Sequence, residues 1–192
     1  MAGRIAARVG VRIFFVAVGI VLAAPGDVLP QEPLDLPAHG REEFSILAGF
    51  GYGVKLNSGR TEEQLLTVDP QIGIGLGSRF EYVIEGHLAK YFRPDGFAAG
   101  LVPLGARYFL GAGKVAPYVE LGAGFGWTNL EVIELSRRFN FVLQGGLGIR
   151  GTPRAGQAWT LEARWIHYSN ANTVLPNLGL NAAALIAGWR FR

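Results

Sequence analysis

The residues best suited to chemistry lie close together near the end of the chain, in the run Trp165-Ile-His-Tyr-Ser-Asn170. Residues 159–164, just before this run, alternate apolar and polar side chains, which is typical of a β-strand with one apolar face. Continuing the period of two places His167 and Ser169 on the same face as the two tryptophans of this stretch. The pair could supply a nucleophile and its base, and polar groups on an apolar face are costly unless they serve a purpose.

The composition limits the kind of protein that could position this pair. The 192 residues allow one domain, of which 49% are hydrophobic and 17% charged, and there are 28 glycines. The chain has no cysteine, which excludes disulfide bonds, a thiol nucleophile and thiolate metal ligands. We therefore expect a fold that depends on backbone pairing and packing alone.

The N-terminal residues are typical of an export signal. The first 12 residues contain three arginines and no acid, and an apolar run extends from Ile13 to Ala24. This run of about a dozen residues is short for a membrane-spanning helix, so we predict a signal peptide at residues 1–24, with an uncleaved N-terminal anchor as the alternative. Removing it lowers the formal net charge from +3 to zero, so the basicity of the full chain does not indicate nucleic-acid binding.

Eight later segments alternate apolar and polar side chains with a period of two. No apolar run of about 18 residues interrupts them, so we expect no transmembrane helix after the signal peptide. In the fourth segment, Val102 and Leu104 fall on the apolar face opposite Arg107. The predicted strands are residues 44–56, 66–77, 80–91, 98–110, 117–127, 139–150, 158–169 and 181–191.

The face opposite the apolar one is mostly glycine, with a few carboxylates, arginines and glutamines. Water-exposed strands avoid so much glycine, whereas a narrow barrel interior has room for few side chains. We therefore predict an all-β fold, an eight-stranded antiparallel transmembrane β-barrel at residues 42–192, after a periplasmic lead-in at residues 25–41. A soluble lipocalin-like barrel is the alternative. The side chains expected to form an interior ionic network are Glu81, Glu85, Glu120, Glu162, Arg107, Arg150 and Arg164, with His87 beside them.

The lengths of the connections predict the topology. The longest, residues 57–65, 128–138 and 170–180, follow odd-numbered strands and become extracellular loops if the chain enters the barrel from the periplasm. His167 and Ser169 then lie near the extracellular rim, facing the outer leaflet, and Asn181 opens the last strand beside them.

The His-x-Ser-Asn run, followed by Asn177-x-Gly179 and by a polar residue twelve positions beyond the serine, resembles the PagL-type lipid A 3-O-deacylase family. This resemblance implies an outer-membrane barrel whose Ser-His-Glu triad faces the lipid. It makes Ser169 the nucleophile and His167 the general base, with Asn170 contributing an oxyanion hole through its backbone N–H. Where the family has its glutamate, this chain has Asn181.

By the same resemblance, the protein is a serine esterase of the Gram-negative outer membrane that removes the ester-linked 3-hydroxyacyl chain from the 3-position of lipid A. Its substrate is lipid A, or lipopolysaccharide, in the outer leaflet, and no cofactor, metal or nucleic acid is implied. The sequence leaves open whether the barrel forms a homodimer. It also leaves an alternative, in which His167, Ser169 and Asn181 only line the rim of a non-catalytic barrel with a structural or adhesin-like role.

Overall fold

The structure is a computed structural model that describes residues 39–55, 63–77, 79–154 and 156–191. The predicted signal peptide at residues 1–24 and nearly all of the predicted lead-in lie outside these residues. No helix in the described part of the chain is long and apolar enough to cross a membrane.

The described residues form eight antiparallel strands in a closed barrel, as predicted. Each strand pairs with its neighbours in sequence, and the last strand pairs with the first. Every predicted strand is present, with bounds that differ by a few residues. The strands are β1 (Glu42–Gly53), β2 (Gln64–Gly75), β3 (Phe80–Arg93), β4 (Asp95–Phe109), β5 (Val115–Thr128), β6 (Phe139–Arg154), β7 (Gln157–Ser169) and β8 (Leu180–Phe191).

Two details of the sequence prediction are wrong. The connection expected between β3 and β4 is reduced to Pro94, because residues 95–97 continue the ladder by pairing with residues 90–92. Val102 does not share the outward face of Leu104: it is 1% exposed, whereas Leu104 is 67% exposed. A β-bulge between Leu101 and Leu104 changes the alternation there, and such an inserted residue leaves no clear sign in a pattern of apolar side chains.

The predicted ionic network fills the interior. Arg107 donates to Glu81 at 2.8 Å, and Arg164 donates to Glu162 at 2.6 Å and to Glu85 at 2.8 Å. Glycines make room for these groups: a Cβ on Gly73 would collide with the carboxylate of Glu81, and one on Gly146 with that of Glu162. This packing is the reason for glycine on the inward face, and pairing makes the burial of the charges tolerable.

Large apolar side chains are exposed on the outward face of all eight strands. Loops 129–138 and 170–179 contact each other at one end of the barrel, which we call the loop end. There, loop 129–138 turns Leu130, Val132 and Leu135 inwards, where they join a buried cluster with Leu65 and Leu180. Loop 129–138 therefore packs over the loop end of the barrel, which is the end that carries His167 and Ser169.

Candidate active site

Strand β7 presents the candidate residues on the outer surface of the barrel. Its inward side chains Ile166 and Tyr168 are each 1% exposed, whereas the outward His167 and Ser169 are half-buried. The strand ends at Ser169. The structure therefore places both polar side chains on the apolar outer face close to the loop end, as the alternation predicts.

His167 is paired across the ladder with Asn181, the first outward residue of β8. The two residues are register partners, and Nδ1 of His167 lies 2.8 Å from Oδ1 of Asn181. Because the amide oxygen can only accept, the imidazole donates its Nδ1–H to it. The neutral ring then carries its lone pair on Nε2, the nitrogen that a general base needs to present to a hydroxyl.

Two neighbours hold the imidazole in place. The indole of Trp165 stacks on it, with ring centroids 5.5 Å apart and planes inclined by 15°. On β8's side, a Cβ on Gly179 would lie 2.5 Å from Cε1 of His167, and Gly179 also has a φ of +73°. Both observations require glycine here, which accounts physically for the Asn-x-Gly motif.

Ser169 lies on the same face as His167, two residues further along β7, and is the register partner of Phe141 on β6. Alternate residues of a strand are about 6.6 Å apart, a separation that two side chains can span. Among the described residues, no hydrogen bond joins the Ser169 hydroxyl to His167. The structure thus brings His167 and Asn181 into contact, with Ser169 beside them.

Asn170 is bound into the loop that follows. Its backbone N–H donates to Oδ1 of Asn177 at 3.0 Å, and its buried side-chain Nδ2 donates to the carbonyl of Val174 at 2.9 Å. The N–H expected to bind an oxyanion is therefore occupied by the side chain of Asn177. An oxyanion can take this N–H only if Asn177 moves aside.

Loop 129–138 holds loop 170–179 through backbone contacts. The backbone of Leu135 forms a bridge with Asn177, and the N–H of Gly179 donates to the carbonyl of Glu134 at 3.2 Å. The hydroxyl of Ser136 donates to the carbonyl of Pro176. The sequence predicts a loop at residues 128–138 and a motif at Asn177 and Gly179, but not the contacts between them, because contacts between distant loops leave no periodic signal.

A second polar cluster lies inside the barrel. One ligand-type atom each from Asp69, Glu85 and His87 falls within 4.8 Å of the others. These groups already have protein partners: His87 Nδ1 is 2.8 Å from Asp69, and Arg164 donates to both carboxylate oxygens of Glu85. With the Arg164 guanidinium among its members, this cluster does not fit a cation.

Two solved structures of known proteins are similar to this barrel. Neisserial surface protein A is similar over 78% of this chain and 96% of its own, with 15% identity and a TM-score of 0.62. The outer membrane enzyme PagL is similar over 75% of this chain and 97% of its own, with 17% identity and a TM-score of 0.60. At these identities the likenesses show the fold alone. No curated protein sequence matches the chain.

The sequence itself identifies the family. The model of the lipid A 3-O-deacylase (PagL) family matches residues 46–190, which is most of the chain and nearly all of the barrel. The match includes β7, loop 170–179 and all but the last residue of β8, the elements that carry His167, Ser169 and Asn181. The chain therefore belongs to the lipid A 3-O-deacylase (PagL) family and is a β-barrel of the Gram-negative outer membrane.

Proposed function

We propose that this protein is a serine esterase that removes the ester-linked 3-hydroxyacyl chain from the 3-position of lipid A. The observation that carries the proposal is the His167–Asn181 hydrogen bond of 2.8 Å, on the outer barrel surface beside Ser169. An apolar surface at the rim of an outer-membrane barrel faces the outer leaflet, where the acyl esters of lipid A lie. The substrate then reaches the site by lateral diffusion within its own membrane leaflet.

The proposed reaction follows the chemistry of serine hydrolases. The Ser169 hydroxyl attacks the ester carbonyl while Nε2 of His167 takes its proton, and the protonated imidazole returns that proton to the departing sugar oxygen. Water then releases the acyl chain from Ser169, with His167 again acting as base. The stacked indole of Trp165 keeps the ring oriented through both steps.

Asn181 performs part of the task of a carboxylate. By accepting from Nδ1, its amide oxygen holds the tautomer in which Nε2 is free to act as the base. It supplies no negative charge to the imidazolium that forms during the reaction. In a serine protease, changing the triad aspartate to asparagine lowers turnover about 10⁴-fold through the wrong tautomer. With the amide oxygen on Nδ1, we expect a smaller deficit here.

The test is hydrolysis by the purified protein in detergent. Incubation with lipopolysaccharide, followed by mass spectrometry of the lipid A, should show the loss of one 3-hydroxyacyl group. A fluorophosphonate probe should label Ser169 but not Ser136, an exposed serine of the same end whose hydroxyl donates to the carbonyl of Pro176. Ser169→Ala should abolish both signals; hydrolysis that persists in this variant would refute the assignment.

A second candidate function is a non-catalytic surface barrel. Two observations favour it: Asn181 replaces an acid, and the Asn170 N–H is already occupied by Asn177. Well-folded, lipid-reconstituted protein that neither hydrolyses lipid A nor reacts with the probe would establish this alternative.

A further inference from the structure

An aromatic patch adjoins Ser169 on the outer surface of β5 and β6. It consists of Phe125, Trp127, Phe139 and Phe141, each 43–53% exposed. Phe141 is the direct register partner of Ser169, and the ring of Phe139 lies 6.1 Å from that of Phe141 and 6.2 Å from that of Phe125. Outer-membrane barrels carry aromatic girdles at their interfaces, so the patch alone does not indicate a binding site.

Two arginines stand directly beyond the patch. Arg137 and Arg138 precede β6 and are exposed, and Cζ of Arg138 lies 5.9 Å from the ring centroid of Trp127. This contact holds a guanidinium against the outer surface of the barrel. The backbone there is fixed by the buried Asn140, whose Nδ2 donates to the carbonyls of Arg137 at 2.9 Å and Arg138 at 3.2 Å.

These arginines are unlike those of the barrel interior. Interior arginines are paired with carboxylates, whereas within the described part of the chain neither Arg137 nor Arg138 forms an ion pair. A guanidinium presents a planar set of donors that matches the oxygens of a phosphate. Two such groups above an aromatic surface are complementary to an amphiphile with an anionic phosphate head and acyl chains.

We propose that Arg137 and Arg138 form an anion subsite that binds a phosphate of the lipid A head group while the aromatic patch receives the acyl chain beside the ester. This inference rests on the proposed function for the identity of the lipid. Arg138 lies three positions before Phe141, about 10 Å at 3.3 Å per residue, a span that a phosphorylated disaccharide can bridge. The subsite thus makes lipid A approach Ser169 from the β5–β6 side.

The opposite flank offers a matched comparison. Lys55 is an exposed cation beyond β1, and the N–H of its neighbour Val54 donates to the carbonyl of Asn181. If the head group instead lay on the β8–β1 side, Lys55 would be a cation beside it among the residues that the structure describes. Lys55→Gln is therefore a control that removes a single positive charge from the other side of the site.

Binding is measured first, in the Ser169→Ala background, so that the result does not depend on catalysis. In detergent micelles, this protein should bind phosphorylated lipid A about tenfold more tightly than enzymatically dephosphorylated lipid A. Arg137→Gln/Arg138→Gln should lose this preference, whereas Arg137→Lys/Arg138→Lys and Lys55→Gln should retain it. Heat-modified gel migration checks that each variant is folded.

Equal affinity for the two lipids, or a preference that survives the double glutamine variant, overturns the subsite. If Lys55→Gln abolishes the preference and the arginine variants do not, the head group binds on the other flank. This result also overturns the proposed subsite.

Catalysis is measured second, with Ser169 intact. The double glutamine variant should raise KM for phosphorylated lipid A about tenfold and KM for an uncharged p-nitrophenyl acyl ester much less, whereas Lys55→Gln should change neither. An unchanged KM for phosphorylated lipid A contradicts the subsite. If wild-type protein hydrolyses neither substrate, the proposed function fails, and the binding measurements still decide the subsite.

Discussion

Asn181→Asp is the sharpest perturbation of the candidate active site. Aspartate has the same shape as asparagine, so a carboxylate oxygen replaces the amide oxygen at the position 2.8 Å from His167 Nδ1. Nothing else in the ring's surroundings needs to change: Trp165 still stacks on the imidazole and Gly179 still leaves room for it. The substitution therefore tests the charge of the third residue separately from its geometry.

The expected change in kcat follows from the charge of the group that accepts the hydrogen bond from His167. A bond between neutral groups contributes about 1 kcal/mol and one to a charged group about 1.5–3 kcal/mol. The added carboxylate should stabilise the imidazolium of the transition state by the difference, roughly 0.5–2 kcal/mol, which corresponds to a rise in kcat of about twofold to thirtyfold. Asn181→Ala removes the bond and the control of the tautomer, and should lower kcat by about fivefold or more.

Lipid A deacylation by purified protein in detergent, followed by mass spectrometry, measures these rates. Asn129→Asp is the matched control, because it makes the same change at the loop end in a residue that accepts from the N–H of Phe97, away from His167. Heat-modified migration verifies folding, since a new charge near the lipid boundary can destabilise a barrel. Folded Asn181→Asp no faster than wild type, together with unchanged Asn181→Ala, would show that position 181 lies outside the catalytic unit.

Three further changes test other parts of the structure. Gly179→Ala should lower the hydrolysis rate at least about tenfold without unfolding the barrel, because its Cβ displaces the imidazole; a wild-type rate would contradict the packing described for His167. Arg164→Met should destabilise the barrel by about 3–5 kcal/mol in urea unfolding, since it leaves Glu85 and Glu162 buried without this cation; an unchanged midpoint would refute that role. N-terminal sequencing of the outer-membrane form should begin after residue 24, and a start at Met1 would support an uncleaved anchor instead.

The barrel could be predicted because its pattern is local and repeated. The side chains of each strand point alternately towards lipid and towards a crowded interior. Apolar side chains on one face and glycine on the other therefore indicate a barrel strand in each of the eight segments. The failures occur where a single residue breaks the alternation or the ladder continues through an expected loop. Val102 is turned inwards by a bulge, and residues 95–97 pair where a connection was expected.

The candidate site likewise has a part that local alternation predicts and a part that it does not. His167 and Ser169 follow from parity on one strand, and Asn181 from its place at the start of the next, so their common face was predictable. The contacts that the loops make beside these residues were not predictable. The N–H of Asn170 donates to the side chain of Asn177, and the backbone of Asn177 forms a bridge with Leu135 of a separate loop. These contacts depend on how loop 129–138 packs over the loop end of the barrel. The part of the site that the strands position can therefore be predicted from the periodicity. The part that we propose to bind a developing oxyanion depends on two loops, whose pairing no local pattern encodes.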